Sequence, residues 1–248
     1  MQTVTPADCE AIERATLAAV APGALEELPG WLLPYDSGTV NRAKSAVPLL
    51  HTAPNPDLLG EIEARYAARG LAAIFRIPQL AAFDEWRDLL RGRGYGASKP
   101  TEVHTALTSS VMSVSKAPAG HIAARPDAGW AEVFLGEGFD PVDGASRVQI
   151  LSRTGGTAFA SAREQGRTVA AGAGAFAHGW ASVHGMRTAQ ACRGRGLAAQ
   201  VLAILAAAAW SRGYPRMFLQ VEANNPPAHA LYRRAGFAAA WTYEYWRR

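Results

Sequence analysis

The stretch Arg193-Gly194-Arg195-Gly196-Leu197-Ala198 constrains this chain more than any other. An extended apolar segment, residues 180–188, runs toward it. A helical pattern leaves it, with Val201, Leu205 and Ala208 on one face and an end near Ser211. A strand, a glycine turn and a helix in that order aim several backbone N–H groups at one point. The first turn of a helix has N–H groups without intrahelical partners, and the helix dipole adds partial positive charge there. Such a place holds a phosphate or pyrophosphate. Gly194 and Gly196 let a ligand approach the main chain, and Arg193 and Arg195 can add charge-assisted hydrogen bonds. Two familiar phosphate motifs do not fit, since neither Gly-Lys-Ser/Thr nor Gly-x-Gly-x-x-Gly is present.

The segments around this turn read as alternating strands and helices. Residues 157–163 and 168–176 form a hairpin, and a turn at His178-Gly179 leads into the strand at 180–188. After the helix come a buried strand at 217–221, a helix at 227–235 and a final strand at 237–246. Asn225 caps that last helix and Pro226 opens it, where a missing N–H costs nothing. In the first half, helices are expected at 5–21, 58–69 and 83–91. Extended segments are expected at 30–35, 41–49, 73–77 and 102–107. Residues 115–127, rich in Ala, Pro and Gly, read as a linker, 128–138 as a short helix, and 148–152 as a strand or a helix end. Helices between strands imply an α/β (α+β) fold with a mixed sheet.

Two motifs in this frame carry a resemblance. Arg193, Gly196 and Ala198 fit Arg/Gln-x-x-Gly-x-Gly/Ala. Further on stands Val221-x-x-x-Asn225-x-x-Ala228-x-x-Leu231-Tyr232-x-x-x-Gly236-Phe237. In this order and separation they resemble the GCN5-related N-acetyltransferase (GNAT) family over residues 157–245. The resemblance implies the acyl-CoA N-acyltransferase fold, with two neighbouring strands splayed around acetyl-CoA as cosubstrate and no metal. By the same resemblance the backbone of Met186 and Thr188 pairs with the pantetheine arm. Residues 193–198 (Arg193, Gly194, Arg195, Gly196, Leu197 and Ala198) hold the pyrophosphate. Asn225 contacts the arm or fixes its helix, and Tyr232 lies near the sulfur. A phenol there can protonate a departing thiolate, and backbone N–H groups can polarise the carbonyl. His184, two residues before Met186, is expected on the same face of its strand and titrates in the range of a base.

Ala235-Gly236-Phe237 occupies the place of Arg93-Gly94-Tyr95, so the two halves read as a pseudo-repeat. The chain resembles tandem members of the family: residues 1–115 a degenerate half without the phosphate turn, residues 116–248 the half that binds acetyl-CoA. The expected reaction is acetyl transfer to a primary amine on a small molecule or peptide by direct attack in a ternary complex. The alternatives are a protein N-terminal or lysine acetyltransferase, or an acyl-CoA-binding sensor without turnover.

Composition narrows the setting. The chain has 248 residues, 49% hydrophobic and 19% charged, enough for a real core. Its formal charge of +4 suits an acidic cofactor such as CoA and is too small and dispersed to suggest nucleic acid. Cys9 and Cys192 have no metal-ligand spacing, and the apolar run 201–210 is too short to span a bilayer. The first residues lack the order of a signal peptide, so the expectation is a cytoplasmic protein, monomer or homodimer, with no membrane partner. By residue type alone Tyr232 is equally a core aromatic and Asn225 only a cap. His178 and His229 read as turn and helix-surface residues, and Trp31, Trp130 and Trp180 as packing.

Overall fold

The computed structural model describes residues 4–52, 54–116 and 118–248. Residues 1–3, 53 and 117 lie outside it, and with them part of the N-terminal and linker stretches. Helix α1 (Pro6–Ala19) opens on a capping box in which Thr5 and Asp8 satisfy each other's backbone N–H. A small sheet of β1 (Ala24–Leu28), β2 (Trp31–Tyr35) and β3 (Val47–Pro48) follows. Then come α2 (Leu58–Ala67), β4 (Phe75–Pro78), α3 (Asp84–Gly92), β5 (Gly96–Leu107) and α4 (Thr108–Met112). After the crossing segment lie β6 (His121–Ala123), α5 (Ala128–Leu135), α6 (Pro141–Leu151), β7 (Ala158–Glu164), β8 (Arg167–Ala177) and β9 (Trp180–Thr188). The chain closes with α7 (Leu197–Ser211), β10 (Arg216–Glu222), α8 (Pro226–Arg234) and β11 (Ala238–Arg247).

Three expectations change. The strand expected over residues 41–49 is a 3₁₀ turn at Asn41–Ala43 followed by only two strand residues. Residues 148–152 end helix α6 rather than form a strand, because Asp140 caps the N–H groups of Val142 and Asp143 and starts a helix upstream. The linker stretch holds β6, whose three residues pair with β7.

The main sheet has eight strands in the order β4-β11-β5-β10-β9-β8-β7-β6, antiparallel except at β10–β9. Tight turns with positive φ at Gln165-Gly166 and His178-Gly179 build the meander of β7, β8 and β9. On one face α7 buries Leu197, Val201, Leu202 and Leu205 against Val183, Leu219 and Val221, with Tyr232 and Phe237 closing the cluster. On the other face α1, α5 and α6 cover β8 and β9, where Trp130, Phe134 and Ile150 meet Ala171 and Ala173.

β5 is the topological key. It lies between β10 and β11, paired with β10 from Arg216↔Leu107 to Glu222↔Thr101 and with β11 from Ala238↔Thr105 to Arg247↔Gly96. β11 in turn lies between β5 and β4. The units β4-α3-β5 and β10-α8-β11 thus interleave, and their helix ends match in detail. Gly94 and Gly236 both have positive φ. Tyr95 N–H donates to the Leu90 carbonyl at 3.0 Å as Phe237 N–H donates to that of Tyr232 at 3.0 Å. A buried ion pair, Arg76 Nη2 to Glu13 Oε2 at 2.6 Å, ties β4 to α1. A fragment of residues 116–248 alone would leave β10 and β11 without the strand between them. It is expected to show no cooperative unfolding transition in urea, and co-expression with residues 1–115 to restore one. A cooperative transition from the fragment alone would show that β5 is dispensable.

Candidate functional site

β9 and β10 run parallel, and they part early. Their pairing covers Ala181↔Met217, Ser182↔Phe218 and Val183↔Leu219 and then ends. Beyond it, residues 184–188 of β9 pair only with β8, and residues 220–222 of β10 only with β5. A wedge opens between the two strands, with backbone groups along both sides.

A bulge lies at the start of the wedge. His184 pairs with Ala173 and Arg187 with Ala171, so Gly185 and Met186 together oppose Gly172. Gly185 has φ +59°, and a Cβ there would stand 3.0 Å from the Phe134 ring and 3.1 Å from Leu151. The extra residue breaks the alternation of side chains. The expectation that His184 and Met186 share a face is therefore corrected: Met186 packs toward α7, while His184 faces α1 and α6.

At the wide end of the wedge the chain makes a 3₁₀ turn at Gln190–Cys192 and enters the glycine turn. Arg193, Gly194, Arg195 and Gly196 are exposed, and Gly196 caps α7 at φ +77° with no side-chain cap. Nothing lies within 4 Å of a Cβ built on Gly194 or Gly196, so conformation rather than protein crowding requires glycine there. The N–H groups of Leu197 and Ala198 at the start of α7 precede the first helical hydrogen bond, from Gln200 to Gly196 at 3.2 Å. Arg193 reaches back to the Thr188 carbonyl at 3.4 Å, and Arg195 pairs with Glu164 at 2.8 Å. Both guanidiniums thus flank the turn, and that of Arg195 carries a carboxylate partner.

From β10, an exposed Asn225 caps α8, its Oδ1 accepting from Ala228 N–H at 3.3 Å. Two turns on, Tyr232 is buried beside Val221 and edge-on to Phe237, with ring centroids 5.9 Å apart. Burial pushes its phenol up to about 12, so it is a protonated donor at neutral pH. Its hydroxyl has no hydrogen-bond partner among the described residues.

The opposite mouth holds residues that sequence reasoning missed. A small pocket is lined by Val20, Val40, Arg42, Arg147, His184 and Gly185, with Ile150 and Leu151 behind them. Arg42 donates to Gln220 Oε1 at 3.2 Å, and the Tyr243 hydroxyl donates to the same oxygen at 3.0 Å. Arg147 pairs with Asp143 at 2.6 Å. The first 42 residues thus reach the mouth of a wedge built more than 140 positions later. No local pattern signals that contact. His184 donates to or accepts from Ser182 Oγ at 2.8 Å, and its Nδ1 is buried without a partner. Burial, with Arg42 adding like charge, lowers its pKa to about 3.

Known proteins share this architecture. Residues 6–246 match the family described as "Probable histone acetyltransferase Rv0428c C-terminal". Over 243 residues the chain is 28% identical to the "Uncharacterized N-acetyltransferase YobR" of Bacillus subtilis (strain 168), covering 96% of this chain and 98% of that protein. A GCN5-related N-acetyltransferase structure from Kribbella flavida has a TM-score of 0.70 at 18% identity, covering 96% of this chain and 95% of that one. A tandem GNAT protein from the clavulanic acid biosynthesis pathway has a TM-score of 0.61 at 12% identity, covering 100% of this chain and 89% of that one. The likeness to these two structures is one of fold.

The state of His184 has a measurable consequence. With its pKa lowered from 6.5 to about 3, the unfolded chain binds more protons than the native one between those values, so stability falls as pH falls through that window. The contribution is roughly 1 kcal/mol per pH unit. Replacing His184→Gln is expected to flatten the acid limb of stability by that slope, read from urea midpoints at pH 7, 5.5 and 4.5. An unchanged limb would show that the ring is not held neutral.

Proposed function

Because this chain belongs to the GCN5-related N-acetyltransferases, through the family matched over residues 6–246, we propose that it transfers an acetyl group from acetyl-CoA to a primary amine by direct attack. The observation that carries this reading is the end of β9–β10 pairing at the Val183/Leu219 pair, with β9 running on from there to the open turn at Gly196. The unpaired backbone on both sides of the wedge and the free N–H groups of α7 fit a ligand with an amide-bearing arm and a pyrophosphate. Met186 and Thr188 would pair with the arm. Residues 193–198 would hold the pyrophosphate, and Asn225 would meet the arm at the start of α8. When bound, acetyl-CoA supplies an acyl group activated as a thioester.

The two faces of the sheet divide the chemistry. Tyr232 and Met186 lie on the α7 side, His184 and Arg42 on the α1 side. The amine therefore enters from the α1 side, and its nitrogen forms the new C–N bond as the C–S bond breaks. Tyr232 donates its proton to the departing sulfur. Its raised pKa keeps that proton in place until the sulfur bears charge. Main-chain N–H groups at the Gly185 bulge polarise the carbonyl. His184, neutral at physiological pH, aligns the amine by hydrogen bonding; the proton lost by the new amide nitrogen passes to solvent, and solvent returns a proton to the Tyr232 phenolate.

The lining of the acceptor mouth favours a class of amine. Its lining holds two guanidiniums, of which Arg147 is paired with Asp143, while Arg42 has no ion-pair partner among the described residues. An acceptor bearing a carboxylate or phosphate beside its amine complements that charge, whereas a basic peptide tail meets like charge. The first half reads as a degenerate copy. Where α7 follows a glycine turn, α2 follows Pro54-Asn55-Pro56-Asp57, whose prolines lack N–H groups and whose Asp57 N–H is taken by Asn55 Oδ1 at 3.0 Å. Leu90 stands at the position matching Tyr232.

Calorimetric titration with acetyl-CoA is expected to give one site per chain, and turnover on a panel of amines identifies the acceptor. Binding without transfer to any amine would favour a sensor. Tyr232→Phe is expected to lower kcat about 100-fold with acetyl-CoA affinity nearly unchanged; an unaltered kcat would remove the phenol from the reaction. Gly196→Glu is expected to abolish acetyl-CoA binding in a folded protein, and retained affinity would mean that the pyrophosphate binds elsewhere.

A further inference from the structure

β5 carries a second chemical feature that acyl transfer does not use. Glu102 and His104 are two residues apart on it and so project to the same face. Their partners on β10, Val221 and Leu219, belong to the cluster beneath α7 and α8, which places that face under α8. His229, from α8, meets them there. His104 Nε2 lies 2.6 Å from Glu102 Oε2, and His229 Nδ1 lies 3.8 Å from the same oxygen. One ligand atom from each residue falls within 4.8 Å of the other two. His229 is thus a member of a buried-edge cluster rather than a helix-surface residue.

We propose that Glu102, His104 and His229 form a binding site for a divalent cation of the zinc class. The hydrogen-bond inventory points there. His229 Nε2 lies 3.1 Å from the Glu222 carbonyl, which can only accept, so Nε2 carries the hydrogen. Nδ1 faces Glu102 Oε2 at 3.8 Å, too far for a direct hydrogen bond, so the nitrogen and the oxygen can both turn to an ion placed between them. Backbone carbonyls that anchor the remote N–H are the usual support of a metal-bound imidazole. His104 is nearly enclosed, with its side chain 8% exposed, and its Nδ1 has no partner.

The donor set suits the ion. Two imidazole nitrogens and one carboxylate oxygen are typical zinc ligands, at about 2.0–2.2 Å, which in a tetrahedron sets donors roughly 3.3 Å apart. The separations of 2.6 Å and 3.8 Å bracket that distance, within reach of small side-chain shifts. Three protein ligands leave a fourth position for water. All three stand on a strand and a helix, so little ordering remains to be done on binding. The site joins β5, from the first half of the sequence, to α8, which carries Asn225 and Tyr232. It stands independently of the acyl-transfer reading.

The test uses the full chain without affinity-tag histidines, stripped with chelator and titrated calorimetrically with zinc chloride alone. The expected result is one zinc per chain with a dissociation constant in the micromolar range or tighter, and a higher thermal midpoint with zinc. His229→Gln and Glu102→Gln, both at partly exposed side chains, are each expected to weaken binding about 100-fold or more and to remove the thermal shift, with circular dichroism unchanged. Cobalt(II) in place of zinc is expected to give the d–d absorption of a four-coordinate site, lost in both variants. No binding at millimolar zinc, or binding that survives either substitution unchanged, overturns the proposal.

Discussion

The ladder that β5 forms with β10 on one side and β11 on the other governs this molecule. Because β5 satisfies the outer edge of β10, that strand does not need β9 along its whole length and can turn away after three residue pairs. A parallel pair broken early leaves unpaired N–H and C=O groups, which in an isolated sheet edge would invite aggregation. Here they face the wedge between β9 and β10, where a ligand's amides can take the place of a strand.

Glycine serves two separate purposes along this wedge. At Gly185 it permits a positive φ and clears Phe134 and Leu151, and the resulting bulge sends His184 and Met186 to opposite faces. At Gly196 it permits a positive φ in open space, so that α7 begins with bare N–H groups and no competing side chain. One device separates the side chains of β9 between the two faces of the sheet, and the other leaves helix N–H groups open. The first half has the same succession of strand, helix and strand, but α2 begins after two prolines, and its Asp57 N–H is already bonded to Asn55 Oδ1.

Burial then sets the protonation of the groups at the centre. Tyr232 and His184 both lose solvent, and the same desolvation moves their pKa values in opposite directions because it always disfavours the charged form. The phenol stays protonated and the imidazole stays neutral. A protonated phenol and an uncharged imidazole are what the proposed displacement of a thiolate by a neutral amine requires.

Much of this was legible in the order of residues. The turn at residues 193–198, the Asn225 cap, the Tyr232 position and the matching Gly94 and Gly236 turns are local patterns, governed by φ preference, capping and helical or strand period, which act over a few residues. Tertiary structure decided the rest. The strand period placed His184 beside Met186, and a bulge, set by packing against Phe134 and Leu151, parted them. Arg42 reached the pocket beside His184, and Glu102, His104 and His229 converged, only because β5 crosses into the second half's sheet. Strand order is chosen by long-range pairing and burial, and one chain's local pattern carries no mark of which distant edge a strand will fill.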